Sequence, residues 1–419
     1  MAAAAGVAAV AAAGGTAAAA ANSVPQPSFS SPPLPTSPPP LQPRPYDYVA
    51  DFVPPSAAEI AKVGRILQVM RRAVSPIYFS TRPDGTVVRG LSGIPDKEPG
   101  RPQLFVGNHQ LLALDSSILL EALLLQKGVL ARGLAHPAVL IPEDTAAAAA
   151  EESNGSRGGG NGGDETSGKS GVRRSKVVED GEKRGAAAAA AAAGVMAGSP
   201  GSAELSSLMR TFGAVPVTPR NMHRLLQRNE AVLLFPGGAR EAFHLRGEEY
   251  TLHWPERPEF VRMAASAEAE IVPFAAIGVA DSVNMLLDGD EAMRVPILGK
   301  RLRRRSDATP AARTAAGPES ESFISPVVVP KLLPARFYFY FGQPFRVAPG
   351  LRHDRAAAQL LYEEVRAEVL HGIEALLTAR QKDRYADPAR RLVYETASGG
   401  PAPTFPASVL QELRRQRAR

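Results

Sequence analysis

The sequence contains no cysteine. That excludes disulfides, thiolate zinc sites, iron–sulfur clusters and cysteine nucleophiles together, without assigning a redox compartment. Aromatic side chains are sparse, at 6% with a single tryptophan, and the arginines are dispersed along the chain. No zinc-finger, basic-zipper or RNP-like pattern occurs, so a nucleic acid is not the expected partner. Long apolar runs are missing too. The longest apolar region, 118–125, falls far short of the ~20 residues that span a bilayer. A G-x-S-x-G elbow is also absent. The nearest approach, Gly90-Leu91-Ser92-Gly93, has the wrong spacing and follows a hairpin signal. With neither thiol nor elbow serine, covalent catalysis has no obvious carrier.

What is present divides sharply. Residues 1–45 are almost wholly Ala, Gly, Ser and Pro, and residues 145–203 hold alanine runs around a Gly/Ser/charge tract. Such segments lack the apolar side chains that offset ordering entropy, and both are expected to be disordered, with 301–321 as a further polar loop. About 280 residues remain, enough for one sizeable α/β domain, 46–387, followed by a C-terminal tail, 388–419. Residues 1–45 have no acidic side chain and no basic n-region, and their first base is Arg44. The composition is closer to an organelle transit peptide than to a secretory signal. The net charge of +6 suits an anionic surface or ligand.

Apolar periodicity predicts a helix over 56–74 with Ser56 as N-cap and Ile60, Val63, Ile66, Leu67, Met70 and Val74 on one face. Lys62, Arg65, Arg71 and Arg72 fall largely off that face. This is either a surface helix docked on the core or a basic amphipathic helix lying on an anionic membrane. Asp84-Gly85 between β-type runs signals a hairpin. Strands are then expected at 103–106, 138–141, 214–217, 231–235, 270–277 and 337–341. They alternate with helices at 116–126, 205–211, 220–228, 258–267 and 354–384. The alternation implies an α/β fold, a mainly parallel sheet flanked by helices.

Two strand ends carry the chemistry. Gly107-Asn108-His109 runs on to Asp115, and Phe235-Pro236-Gly237-Gly238 is followed by the charge pair Arg240-Glu241. Strands that empty into glycines and polar groups build a pocket floor at the carboxyl edge of a parallel sheet. A histidine there can act as a general base near neutral pH, and a nearby carboxylate can hold its second ring nitrogen. Asp115 is equally placed to cap the following helix. Arg240 and Glu241 can equally form a structural ion pair. His136, His244 and His253 read as packing or turn residues, and no metal-ligand spacing stands out, so no metal is expected.

Together the blocks DGTVVRGLSGIP, LFVGNHQLLALD, RGLAHP, FGAVPVTPRN, LLFPGGAREAFHLRGEEYTLHWPERPEFVRMA, IVPF and ARFYFYFGQPF resemble the acyltransferase domain of the phytyl ester synthase and diacylglycerol acyltransferase-like family of plants and algae. That family lies within the glycerolipid acyltransferase superfamily. The resemblance covers roughly 75–350 in order. It implies a glycerolipid acyltransferase-like fold and a sequential transfer of a fatty acyl group to a neutral lipid alcohol, diacylglycerol or phytol. By carry-over, His109 is the general base and Asp115 its carboxylate partner. Asn108, Pro236, Gly237, Gly238, Arg240 and Glu241 bind or orient the acceptor. Arg220 contacts substrate, and Pro273 belongs to the acyl-donor wall.

Two departures matter. The superfamily places four residues between His and Asp, and here five intervene; acyltransferases of glycerol phosphates read Pro-Glu-Gly where this chain reads Pro-Gly-Gly. Neutral-lipid acyltransferases show a similar double glycine, so the resemblance implies a neutral acceptor. The larger plant relatives carry a hydrolase-like N-terminal domain that this sequence does not include, so acyl-CoA or acyl-ACP is the expected donor, with no cofactor. A peripheral membrane or lipid-droplet surface and a chloroplast setting, at plastoglobule or thylakoid, are expected. The competing readings are a non-catalytic lipid-binding protein of the same fold and a lipase or thioesterase. The sequence leaves the oligomeric state open.

Overall fold

The computed structural model describes residues 46–140, 202–296, 299–300, 302 and 324–417. The expectations for 1–45, for nearly all of the insert and for nearly all of 301–321 therefore lie outside the described residues. The body begins at Tyr46.

A nine-stranded sheet organises it. Its centre is a parallel block of β3 (Gln103–Gly107), β6 (Ala231–Leu234), β4 (Ala131–Ala135), β5 (Val215–Pro216) and β7 (Glu270–Ile277), in the order β7-β3-β6-β4-β5. Beyond β7 the sheet continues with β10 (Tyr338–Phe341), then β1 (Ile77–Thr81), then β2 (Val87–Arg89). β10 is antiparallel to β7 and parallel to β1, and the β1–β2 hairpin closes that edge where Asp84-Gly85 signals a turn. β11 (Phe345–Arg346) also pairs with β7, while β8 (Val283–Leu287) and β9 (Val327–Pro330) form a separate small ladder.

Side chains on the central strands alternate between two cores, one on each face. Leu104, Val106, Val232 and Leu234 enter one cluster, and Phe105 and Leu233 enter the other. A strand buried on both faces reads as a continuous apolar run, which is why AVLL and EIVPFAAI were recognisable. The helix α1 (Ala57–Val74) starts at a capping box between Ser56 and Glu59. It buries Val63, Leu67 and Val74, but Ile66 turns outward, against expectation. On the same side of the sheet lies α2 (Ser116–Lys127), and Arg71 of α1 pairs with the buried Glu121 of α2.

Around the parallel block stand α3 (Pro137–Leu140), α4 (Ser202–Thr211), α5 (Pro219–Gln227), the short α6 (Gly238–Ala242), α7 (Glu259–Ala265) and α8 (Gly289–Arg294). The long α9 (Arg355–Arg380) crosses β7 and β10 closely: a Cβ at Gly372 would stand 2.7 Å from Ala275 Cβ.

Two sequence readings change. The expected strand at 138–141 is helical up to Leu140, and the strand is instead β4, ARGLA, whose Arg132 and Gly133 disguise it. Arg132 is buried, with Glu230 and the carbonyls of Gly213 and Tyr48 satisfying its guanidinium. The residues read as a tail carry α10 (Pro388–Ser398) and α11 (Ala407–Arg417). Phe405 and Leu410 join the core there, and Arg414 and Arg417 both pair with Glu368 of α9.

Candidate active site

β3 and β6 are parallel neighbours, with Val106 beside Leu234, so the chain leaves both strands at one edge of the sheet. His109 and Gly237 therefore come to the same place. Asn108 anchors the first exit. Its amide nitrogen donates to the Ala276 carbonyl at 2.9 Å and its amide oxygen accepts the Ala276 N–H at 2.8 Å, so the side chain imitates one more ladder residue on β7. Asn108 thereby fixes the loop to β7, with its amide oxygen and one of its two amide N–H groups engaged.

At the second exit, the Gly238 N–H donates to Phe235 O at 3.1 Å, placing Pro236 and Gly237 at the tip of a turn. Gly238 has φ +54°. Gly237 is required for another reason: a Cβ there would lie 2.1 Å from Glu241 Cδ. That buried carboxylate accepts the backbone N–H of His109 through Oε2 and that of His253 through Oε1, both at 2.7 Å. Glu241 thus ties the histidine loop to the glycine motif. Arg240 makes a two-pronged pair with Glu248, at 2.7 and 2.5 Å, and this guanidinium holds the Glu248 carboxyl down at about 2. Glu248 also accepts the Leu245 N–H, so Arg240 latches the 244–250 loop.

His109 is half-buried, its ring 4.5 Å from the Phe235 ring. Its Nδ1 lies 2.9 Å from the Gln110 carbonyl oxygen. A carbonyl can only accept, so Nδ1 carries the proton and Nε2 the lone pair. Withdrawal from water pushes the imidazole down to about 4, against the opposing pull of that carbonyl, so the ring is neutral at pH 7.

Asp115 does not touch the ring. Its Oδ2 accepts from Gln110 Nε2 at 2.6 Å, while Oδ1 is buried without a hydrogen bond, and it makes no side-chain cap on α2. Between His109 and Asp115, Leu112 and Ala113 adopt φ of +56° and +54°, two successive left-handed positions in non-glycine residues. Burial raises the Asp115 carboxyl to about 6, with the Gln110 amide working the other way. Gln110, which sequence reasoning passed over, is the linker: its Oε1 also accepts the Val279 N–H at 3.1 Å.

Two other predicted residues lie outside this side-chain hydrogen-bond network. Arg220 is exposed on α5, beyond β5, and three strand spacings separate β5 from β3, roughly 14 Å. Pro273 is buried inside β7 opposite Val106, where β7 changes partner from β11 to β10. The aromatic floor was also missed. The Phe274 ring fills the space over Gly107, where a Cβ would come within 2.5 Å of it, and it packs edge-on to Phe235 at 5.9 Å. Its only sequence signal was its place in IVPF.

Residues 201–307, which include the glycine motif and β7, match the family model described as diacylglycerol acyltransferase. Over 355 residues the chain is 36% identical to the chloroplastic phytyl ester synthase 1 of Arabidopsis thaliana, covering 83% of this chain and 42% of that protein. It is 30% identical over 368 residues to phytyl ester synthase 2 of the same plant, covering 86% and 44%. The chain belongs to this acyltransferase family. It spans less than half the length of the curated relatives it matches. The similarity to the synthases extends over most of the chain and so beyond the part matched by the family model. No solved structure matches the chain.

Proposed function

We propose that the protein is an O-acyltransferase that passes a fatty acyl group from a thioester, acyl-CoA or acyl-ACP, to a neutral lipid alcohol of the diacylglycerol or phytol type. The observation that carries this reading is the state of His109: Nδ1 donates to a backbone carbonyl, the backbone is held by Glu241, and Nε2 is left as a neutral base. The acceptor hydroxyl gives its proton to Nε2 as its oxygen attacks the acyl carbonyl. The tetrahedral intermediate then expels the thiolate, which takes the proton back from Nε2. The new C–O bond replaces the C–S bond, and the enzyme returns to its starting state. The Gly237 amide, the one of the glycine pair not used in the turn, serves the oxyanion, because Arg240 is engaged with Glu248. Asp115 acts on His109 at one remove, by fixing Gln110.

Direct attack by the alcohol requires no enzyme nucleophile, in keeping with a chain that has no cysteine. Both relatives are named as chloroplastic. We extend that location to this protein, at a plastoglobule or thylakoid surface. The test is product analysis with labelled acyl-CoA or acyl-ACP, with diacylglycerol, with phytol and with no alcohol. Labelled ester formed only with an alcohol supports acyl transfer, and the preferred alcohol names the acceptor. Free fatty acid in equal yield with and without alcohol would replace it by hydrolysis.

A further inference from the structure

Three surface elements distant in sequence meet at one buried arginine. Arg391 of α10 donates from a single guanidinium nitrogen to the Ala73 carbonyl at the end of α1, at 2.8 Å, and to the Pro334 carbonyl of the 331–335 loop, at 2.7 Å. Each element leaves large apolar side chains uncovered beside this junction. Leu332 is 97% exposed, with Leu333 next to it. α10 contributes Leu392 and Val393, the latter 70% exposed. α1 contributes Ile66 and Val69, which step toward Ala73 by three and four residues and so share its face. Single exposed leucines are ordinary on a soluble surface, but six large apolar side chains exposed on three elements joined through one arginine are not.

The rim of this patch is basic. Lys62, Arg65 and Arg72 of α1 and Arg390 of α10 are exposed and have no hydrogen bond or ion pair from their side chains among the described residues. Arg71, by contrast, is held on Glu121. The patch is also joined to the His109 loop. Ala335 N–H donates to Ser282 Oγ at 3.0 Å, and Lys331 N–H to Ser282 O at 2.9 Å. Three residues before Ser282, Val279 N–H donates to Gln110.

We propose that this patch docks the protein on an anionic lipid surface, with Leu332 and Leu333 inserted among the acyl chains and the α1 bases over the headgroups. The charge of the rim selects an anionic surface, and the hydrogen bonds through Ser282 and Val279 connect the docked patch with the loop that bears His109. The docking rests on the acyltransferase reading only for its purpose, and its test needs no turnover. No helix among the described residues is long and apolar enough to cross a membrane, and docking of this kind requires none.

The experiment is co-sedimentation of the full chain with phosphatidylcholine vesicles with and without phosphatidylglycerol. The wild type is expected to partition onto the anionic vesicles, and less so at high salt. The double variant Leu332→Asp, Val393→Asp changes only exposed side chains, and its unfolding temperature is expected to match the wild type. Its partitioning should fall about 10-fold or more. Arg65→Gln with Arg72→Gln should reduce the preference for phosphatidylglycerol. Unchanged partitioning of the apolar variant would overturn the proposal. So would a wild-type dimer in the ultracentrifuge that this variant dissociates while vesicle binding is unaffected, since a second copy would then cover the patch. Variant-sensitive binding by a protein that forms no ester would keep the docking surface and remove the acyltransferase reading.

Discussion

The carboxylate of Glu241 accepts the backbone N–H of His109 at 2.7 Å, across 132 residues of sequence. Its other oxygen accepts the N–H of His253. One acidic side chain therefore sets where the histidine loop sits relative to the glycine motif. In Glu241→Gln one amide oxygen can still accept, but the amide NH2 then faces a donor. The cost should be about 1–3 kcal/mol, read from thermal or urea unfolding. A displaced base should lower kcat/KM by roughly 10²-fold. Unchanged stability and activity in this variant would show that the carboxylate is not the tie.

Gly237→Ala should reproduce much of the same damage without touching the charge. The new Cβ would stand 2.1 Å from Glu241 Cδ, so the carboxylate must leave its two N–H partners. A loss of about 2 kcal/mol or more is expected. The control is Gly400→Ala, where nothing lies within 4 Å and no positive φ is required; it should stay within about 0.5 kcal/mol of wild type.

Arg240 and Glu248 make a testable pair because the arginine belongs to the motif expected to bind or orient the acceptor. As a latch on a half-exposed loop, the pair should contribute about 1 kcal/mol. Arg240→Ala and Glu248→Ala should then lower activity by similar factors, and the double variant should be little worse than either. An Arg240→Ala loss far beyond that of Glu248→Ala would make the guanidinium a direct participant in the chemistry.

The two titratable groups of the histidine loop give opposite pH dependences. His109 is held at about 4, below its unfolded value of 6.5, so the folded protein binds fewer protons and gains stability as pH rises between those values. Asp115 is raised from 3.8 to about 6, so the folded protein binds more protons, and this contribution is lost as pH rises through 6. Asp115→Asn keeps an acceptor for Gln110 and removes the buried charge. Relative to wild type it should gain stability above pH 6, about 3 kcal/mol, and almost none below pH 3. The acidic limb of kcat/KM should fall near pH 4 in both proteins, because it reports His109. A limb near 6 that vanishes in the variant would instead assign it to Asp115.

Much of the fold was legible because buried parallel strands advertise themselves. AVLL and EIVPFAAI carry apolar side chains on both faces, and the Ser56–Glu59 capping box marks a helix start. β4 was hidden because a buried Arg132 is satisfied by groups from three other segments, which local sequence does not show. Ile66 was placed inward by periodicity alone, yet α1 buries a narrower stripe and leaves Ile66 for the outer patch. In the site, the strand ends and their glycines were readable. Their wiring was not: the Asn108–Ala276, Glu241–His109 and Gln110–Val279 contacts all span long sequence separations. The Asp115 carboxylate meets Gln110, across a left-handed turn at Leu112 and Ala113 that local sequence does not announce.

The central claim is that His109 Nε2 takes the acceptor's proton. The most direct measurement compares wild type and His109→Ala for ester formation from labelled acyl-CoA or acyl-ACP with diacylglycerol or phytol, alongside their unfolding curves. The account predicts a loss of about 10²–10⁴ in rate with unfolding little changed, since the Glu241 contact is to the backbone and survives the substitution. Ester formation by His109→Ala at the wild-type rate would contradict it.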